Sequence, residues 1–473
     1  DPTGAILGLA RRTYETAHPR PGWSEQNPAD WWRATTEVVR ELASALPDTR
    51  LAAISLTGQM HGTVLLDADG AAIGPAIIWS DRRSDAQRDE IARAVGPELQ
   101  ARIGGPLGVG YMAATIRWVR DCQPELAAKI AAVLLPKDAL GFRLTGIRAT
   151  EPSDAISTGL LDAESWTWNP VLLEAAGVDA PWLADVLPSG SIAGRLLPGL
   201  ATELGLEPGI PVVLAGGDAP CAAFGAGVTG SDEAMVVLSS GAQVILPTPG
   251  FAPDADGRWH TFPSAVPPTG SGQPRNRVCA TSNAGIALEW LAAITGTGVP
   301  TLLDRASSVA PGAERALFIP YLTGQRTPIL DSLARGSFFG LTDRHTSADL
   351  ARAVAEGIIF ACRHAYATIV AGGNSPSTIR LGGGPSQHPL IRQLVADIFN
   401  LPVQPLESPD LTVIGAARSG ALALGWADPE PRFDTSTVVT PEPGRVAFYD
   451  RLFPLHIDAA EAGREISHRL QAL

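Results

Sequence analysis

One pattern occurs in both halves of this 473-residue chain and limits its fold more than any other: an apolar strand, a glycine turn, then helix. In the first half, residues 51–56 form a short apolar strand ending at Gly58. Further on, Pro211-Val212-Val213-Leu214-Ala215 runs into Gly216-Gly217-Asp218 and a helix reaching residue 227. After a linker, Val228-Thr229-Gly230-Ser231, the pattern restarts. A strand at 234–238 leads through Ser239-Ser240-Gly241 into a second strand at 243–246. Helices follow at 284–293 and 347–370, then a strand at 378–381, the run Gly382-Gly383-Gly384, and helices at 390–399 and 412–424. Alternation of strand and helix predicts stacked α/β layers. The restart predicts two related domains, residues 1–229 and 230–473, with a boundary near 228–233. The cleft between domains is the expected place for a ligand.

Other expectations are local. Residues 1–7 read as a turn leading into a strand. Asn27-Pro28 with Asp30 predicts an N-capped helix start. Residues 63–66 and 73–79, separated by Asp69-Gly70, read as strands, and helical patterns dominate 85–143. The Pro- and Gly-rich stretch 247–270 reads as a surface excursion.

Composition narrows function. There are 36 basic against 49 acidic residues, for a net charge of −13, and no basic block. This argues against nucleic-acid and membrane partners. Lys129 and Lys137 are the only lysines, so no G-x-x-x-x-G-K-[ST] loop exists. Cys122, Cys221, Cys279 and Cys362 are isolated, which suits a reducing cytoplasm and excludes a zinc or C-x-x-C site. No apolar run in the sequence suggests a membrane span.

Candidate chemistry sits at strand ends. Asp218 follows two glycines at such an end, where a carboxylate can take a proton from a substrate hydroxyl; a plain helix cap is the commoner use of this pattern. Gln59-Met60-His61 offers donors, acceptors and an apolar wall suited to a sugar; a loop whose histidine bonds to backbone is the commoner use of such a segment. Trp79 can stack on a small polyol, while Asp81 or Arg82 can bond its hydroxyls; an edge salt bridge is the alternative for the charged pair. Successive amides around Gly241 and Ala242 can form an anion nest, and Gly382-Gly383-Gly384 brings backbone close to a nucleotide or phosphate.

Taken together, these segments resemble the FGGY carbohydrate kinases, and among them most the xylulokinases. The likeness runs along nearly the whole chain. It is carried by Gly336-Ser337-Phe338-Phe339-Gly340-Leu341 followed by Asp349-Leu350 and Ala353-Val354-Ala355-Glu356. It is also carried by Pro320-Tyr321-Leu322 with Gly324-Gln325-Arg326-Thr327-Pro328, by Lys137-Asp138 with Leu144-Thr145-Gly146, and by Gly415-Ala416-Ala417. The resemblance implies two actin-like domains, of the ribonuclease H-like or hexokinase type, closing on ATP and a small sugar. It makes Asp218 the catalytic base and a contact of Mg2+ held with ATP. It puts Met60 and His61 on the sugar, with Trp79, Asp81 and Gln59 lining the same pocket. Gly241, Ala242, Gly285, Glu289, Gly382, Gly383 and Gly384 fall on the nucleotide side. The expected reaction is phosphorylation of D-xylulose at its 5-hydroxyl; a kinase for another ketose or polyol, or a catalytically silent sugar-binding module, are the alternatives. Relatives often form dimers, so a homodimer is the assembly the resemblance suggests.

The chain also departs from the family pattern. It opens at the end of the hairpin that carries the first phosphate loop. Ala219 replaces an asparagine usual after the base, Ala242 replaces a threonine, and Thr115 replaces a lysine.

Overall fold

The computed structural model describes residues 1–254, 256–268, 274–373, 375–406, 408, 410–431, 433 and 435–473. Helix α1 (Pro28–Ala45) starts as its sequence predicts: the Asn27 side chain accepts from the Ala29 amide at 3.0 Å, with Pro28 at the first helical position. Strand β1 (Ile54–Gly58) precedes helix α2 (Pro136–Thr145), which ends in the left-handed Gly146. Strands β2 (Ile192–Arg195) and β3 (Pro211–Gly217) follow, and β3 feeds directly into helix α3 (Asp218–Gly225). The sheet order is β1–β3–β2. β1 and β3 are parallel, and Gly58 faces Gly217 in register, so both strands end at the same edge.

The second half is built on a six-stranded sheet. Its strands are β4 (Glu233–Leu238), β5 (Ala242–Thr248), β6 (His260–Pro263) and β7 (Arg275–Thr281), then β8 and β9 later in the chain. Helices α4 (Gly285–Thr295) and α5 (Ser347–Val370) precede β8 (Thr378–Gly382). Helix α6 (Pro389–Phe399), β9 (Val403–Pro405), helix α7 (Leu411–Ala423) and helix α8 (Pro443–Gln471) complete it. The order is β6–β7–β5–β4–β8–β9: antiparallel as far as β4, then parallel. α5 starts with a reciprocal cap in which the Thr346 amide donates to Asp349 at 2.8 Å. By length and hydropathy α5 could cross a membrane, but its apolar residues are buried against the sheet, so it is a core helix.

Helices α3 and α7 cross at two glycines. A side chain at Gly225 would run into the Leu411 carbonyl oxygen, and one at Gly415 into that of Cys221. Glycine lets the backbones touch here, and this crossing joins the two halves.

Four expectations change. Residues 1–7 form the turn, with the Asp1 carboxylate accepting from the Thr3 and Ala5 amides, but no strand follows among the described residues. Ile6 and Leu7 are exposed and pair with no neighbouring strand. Between 73 and 79 only Ala76–Ile77 is strand, because Gly74-Pro75 interrupts the run. A short strand, Ala132–Leu134, interrupts the helices of 85–143 and pairs with Val64–Leu66. Finally, the stretch 247–270 contributes edge strand β6 and is no mere excursion; its residues 255, 269 and 270 lie outside the described ones.

Candidate active site

The register of β1 against β3 sets the site. With Gly58 opposite Gly217, the loop 59–62 leaves its strand beside Asp218. Gly216 and Gly217 keep this meeting close. A Cβ on Gly217 would lie 2.6 Å from the Met60 Cγ, and one on Gly216 would lie 2.8 Å from the Ser153 Oγ. Asp218 is half-buried where α3 meets α7, and its carbonyl accepts from Thr412 of α7 at 3.4 Å. Its carboxylate accepts from the Ala219 amide at 2.8 Å and from the Met60 backbone. Burial nevertheless pushes its pKa up to about 6. The helix-cap role fails on geometry: Gly217 holds the N-cap position and Asp218 is the first helical residue.

His61 adopts a left-handed backbone, φ 71°, a conformation unfavourable for a residue with a Cβ. Three contacts hold it. Its amide donates to the Ser157 Oγ at 3.0 Å, its Nδ1 lies 3.0 Å from the Ser157 carbonyl, and its ring stacks on Tyr111 at 4.5 Å. A carbonyl only accepts, so Nδ1 carries the proton and Nε2 is left as an acceptor. Burial pushes the pKa down to about 4, so the ring is neutral at pH 7.

The remaining sugar-side candidates divide. Trp79 is 53% exposed, and its backbone packs on Gly110, next to Tyr111. Gln59 points the other way: its amide donates to Gln26 at 2.8 Å, and it lines a separate 390 Å³ cavity between α1 and β1 that Met60, His61 and Asp218 do not reach. Asp81 is 1% exposed. It accepts from the Ser24 amide and holds Arg83 through both oxygens, while Arg83 lies on the Trp23 ring at 3.6 Å and also pairs with Glu25. Asp81 is thus held in a buried ion cluster with Arg83 and not in an edge salt bridge with Arg82, which is exposed and pairs with Asp85.

On the nucleotide side, hairpin β4–β5 closes with the Ser239 amide on the Gly241 carbonyl at 2.8 Å. Gly285 packs onto that turn, its amide donating to the Ser239 carbonyl at 2.8 Å. The Ala242 methyl is buried in the core, so only its backbone is available to a phosphate. Glu289 is exposed on α4. Gly383 (φ 98°) has no room for a Cβ, which would meet the Leu238 carbonyl oxygen; the position at Gly384 is open space. A glycine cradle with open space above it fits a nucleotide. Among the described residues no three His, Cys, Asp or Glu side chains form a metal cluster. Asp218 alone suits Mg2+, which uses one or two carboxylates and takes its other ligands from phosphate and water.

Sequence reasoning missed Tyr111, Ser153 and Ser157, because their roles depend on contacts distant in sequence. It also read Arg326 only as part of a motif. Arg326 is solvent-accessible, has no carboxylate within ion-pair distance among the described residues, and acts electrostatically on both His61 and His260.

Comparisons with known proteins agree along the whole chain. The N-terminal domain profile of the FGGY family of carbohydrate kinases matches residues 1–225, and the family's C-terminal domain profile matches 237–424. A xylulose kinase of Escherichia coli (strain K12) is 34% identical over 90% of this chain and 87% of its own. A gluconokinase of Bacillus subtilis (strain 168) is 28% identical over 86% and 80%. The crystal structure of a ligand-bound xylulose kinase from Lactobacillus acidophilus superposes with a TM-score of 0.91 at 25% identity, covering 98% of this chain and 94% of that one.

Proposed function

The chain belongs to the FGGY family of carbohydrate kinases, and within it we propose that it phosphorylates D-xylulose at the 5-hydroxyl with Asp218 as general base. The chain is a carbohydrate kinase of the two-domain, actin-like α/β type. One observation carries the base assignment: Asp218 follows the end of β3, beside the Met60–His61 loop.

Each side chain then has a task. Asp218 accepts and orients the attacking hydroxyl; a carboxylate with a pKa near 6 is ionised at pH 7 yet basic enough to take a proton. The Nε2 of neutral His61 accepts from a second hydroxyl, and Met60 provides an apolar wall. Trp79 covers the mouth of the site. The turn at Gly241 with Gly285, and the cradle of Gly382, Gly383 and Gly384, hold ATP. Bound there with Mg2+, ATP supplies the phosphoryl group and the metal offsets the charge on its oxygens. The two halves, divided near residues 228–233, close to exclude water, which competes as a nucleophile.

A second substrate class is motivated by the gluconokinase relative and by Ala219, whose methyl offers no amide to the sugar. A panel of ketoses, polyols and aldonates with coupled ADP detection decides between them. Turnover highest on D-xylulose supports the assignment, and turnover confined to a six-carbon acid removes it. Asp218→Asn is expected to lower kcat by about 10²–10⁴-fold with its fold retained; near-natural turnover would remove the base assignment.

A further inference from the structure

Behind the site lies a buried group of charges that the mechanism above does not use. Lys137, from α2, has a fully buried side chain. Its Nζ lies 2.6 Å from the Asp138 carboxylate, 3.1 Å from Asp154 and 3.8 Å from Glu151. Three acidic side chains, all with near-zero exposure, therefore face one ammonium. Such groups are expensive to bury and are tolerated only when held by further hydrogen bonds.

The further bonds lead to the site. The Glu151 Oε1 accepts from the Ser153 hydroxyl at 2.9 Å, and the Ser153 Oγ accepts from the Gly217 amide at 3.2 Å. The Asp154 Oδ1 accepts from the Ser157 hydroxyl at 3.4 Å, and the Ser157 Oγ accepts from the His61 amide at 3.0 Å. Two branches from one lysine thus end on two backbone amides. One precedes Asp218, and the other belongs to the strained His61. Lys137 also touches the loop's origin: a Cβ on Gly58 would lie 3.1 Å from the Lys137 Cβ.

We propose that Lys137, Glu151 and Asp154 are positioning residues for phosphoryl transfer, fixing the backbone under Asp218 through Ser153 and that under His61 through Ser157. This rests on the assignment of Asp218 and His61 given above. The cluster fixes the spacing between the group that accepts the reacting proton and the group that holds the sugar. An error of about 1 Å in such a spacing lowers turnover by about 10²-fold.

The pH response gives an independent readout. The charged and titratable groups facing Asp154 are Lys137 and Asp138 from α2 and Glu151 from its own turn. Burial also pushes Asp154 up to about 8. Above that pH Asp154 ionises and adds a negative charge to the cluster, and kcat/KM is expected to fall there.

Variants of the full chain test this. Ser157→Ala removes the acceptor of the His61 amide and is expected to raise the sugar KM by about fivefold, the worth of one hydrogen bond, with kcat little changed. Ser153→Ala removes the acceptor of the Gly217 amide and is expected to lower kcat by about fivefold with the sugar KM little changed. Asp154→Asn, neutral at every pH, is expected to abolish the loss of kcat/KM above about pH 8. The KM for ATP stays at its natural value in all three. Amide hydrogen exchange at His61 and Gly217, which needs no turnover, is expected to quicken in the matching serine variant. Unchanged exchange, an unchanged split of KM and kcat, and an unchanged alkaline limb would overturn the positioning role, even with Asp218→Asn inactive. An active Asp218→Asn chain would instead overturn the base assignment, and exchange alone would then decide the network.

Discussion

Asp218 is poised between two requirements, and its titration exposes both. Burial raises its pKa to about 6, above the ordinary carboxylate value of about 3.9. The base form exists only above the raised value. Turnover is therefore expected to rise about tenfold per pH unit up to pH 6 and to level off between pH 6 and the alkaline limb near pH 8, in a pH profile of kcat/KM. Stability runs the other way. A pKa raised on folding means stability that is fully present below about pH 4 and is lost as pH rises through 6. Asp218→Asn should then unfold at a higher temperature than the natural chain at pH 7–8, by an amount equivalent to about 1–2 kcal/mol, in a thermal melt. A structural carboxylate would give a less stable variant, so a lowered melting temperature counts against the base. That Asp218, Met60 and His61 follow two strand ends was legible, because glycines mark those ends in sequence. Asp81 was not, because its fate is decided by Arg83 and the Ser24 amide, and nothing local distinguishes a carboxylate facing a sugar from one facing a guanidinium.

Among the elements, the crossing of α3 and α7 has the least tolerance. Gly225 and Gly415 let two helix backbones touch, and a side chain at either meets a carbonyl oxygen that cannot rotate away. Gly415→Val is expected to lower stability by about 1–3 kcal/mol through overpacking, and more where the helices must separate. A melt of this variant at the natural temperature would show that the helices slide freely. Helices were the more legible elements: α5 is bounded as its pattern predicts, with its cap written in Thr346 and Asp349. Strand β7 was not legible, because it opens on three polar residues in a row, Arg275, Asn276 and Arg277. In the fold Asn276 and Arg277 are buried, the Arg277 guanidinium donating to the Ile369 carbonyl of α5 at 3.1 Å. That carbonyl, distant in sequence, is what lets an interior strand carry the Arg277 side chain.

Across the whole molecule the two halves touch in at least two places, and candidate residues belong to both halves. One is the α3–α7 crossing. The other is where edge strand β6 reaches the first half: the Thr261 amide donates to the Gly104 carbonyl at 2.7 Å, and Arg275 donates to the Ala163 carbonyl at 3.0 Å. This second contact is on the sugar side. Gly105 abuts the His260 ring, while Gly108 and Gly159 abut Tyr111, the residue stacked on His61. Gly104 has φ 83°, and a Cβ there would run into the Thr261 carbonyl oxygen. Gly104→Ala therefore strains the loop by about 1 kcal/mol and forces the halves apart at this end alone. The expected result is a sugar KM raised several-fold with the KM for ATP unchanged, because the glycines assigned to the nucleotide all belong to the second half. X-ray scattering should report a larger radius of gyration in the presence of sugar than the natural chain shows. The opposite split, with ATP affected and sugar not, would mean that the β6 contact serves the nucleotide and that closure over the sugar is set at the helix crossing instead.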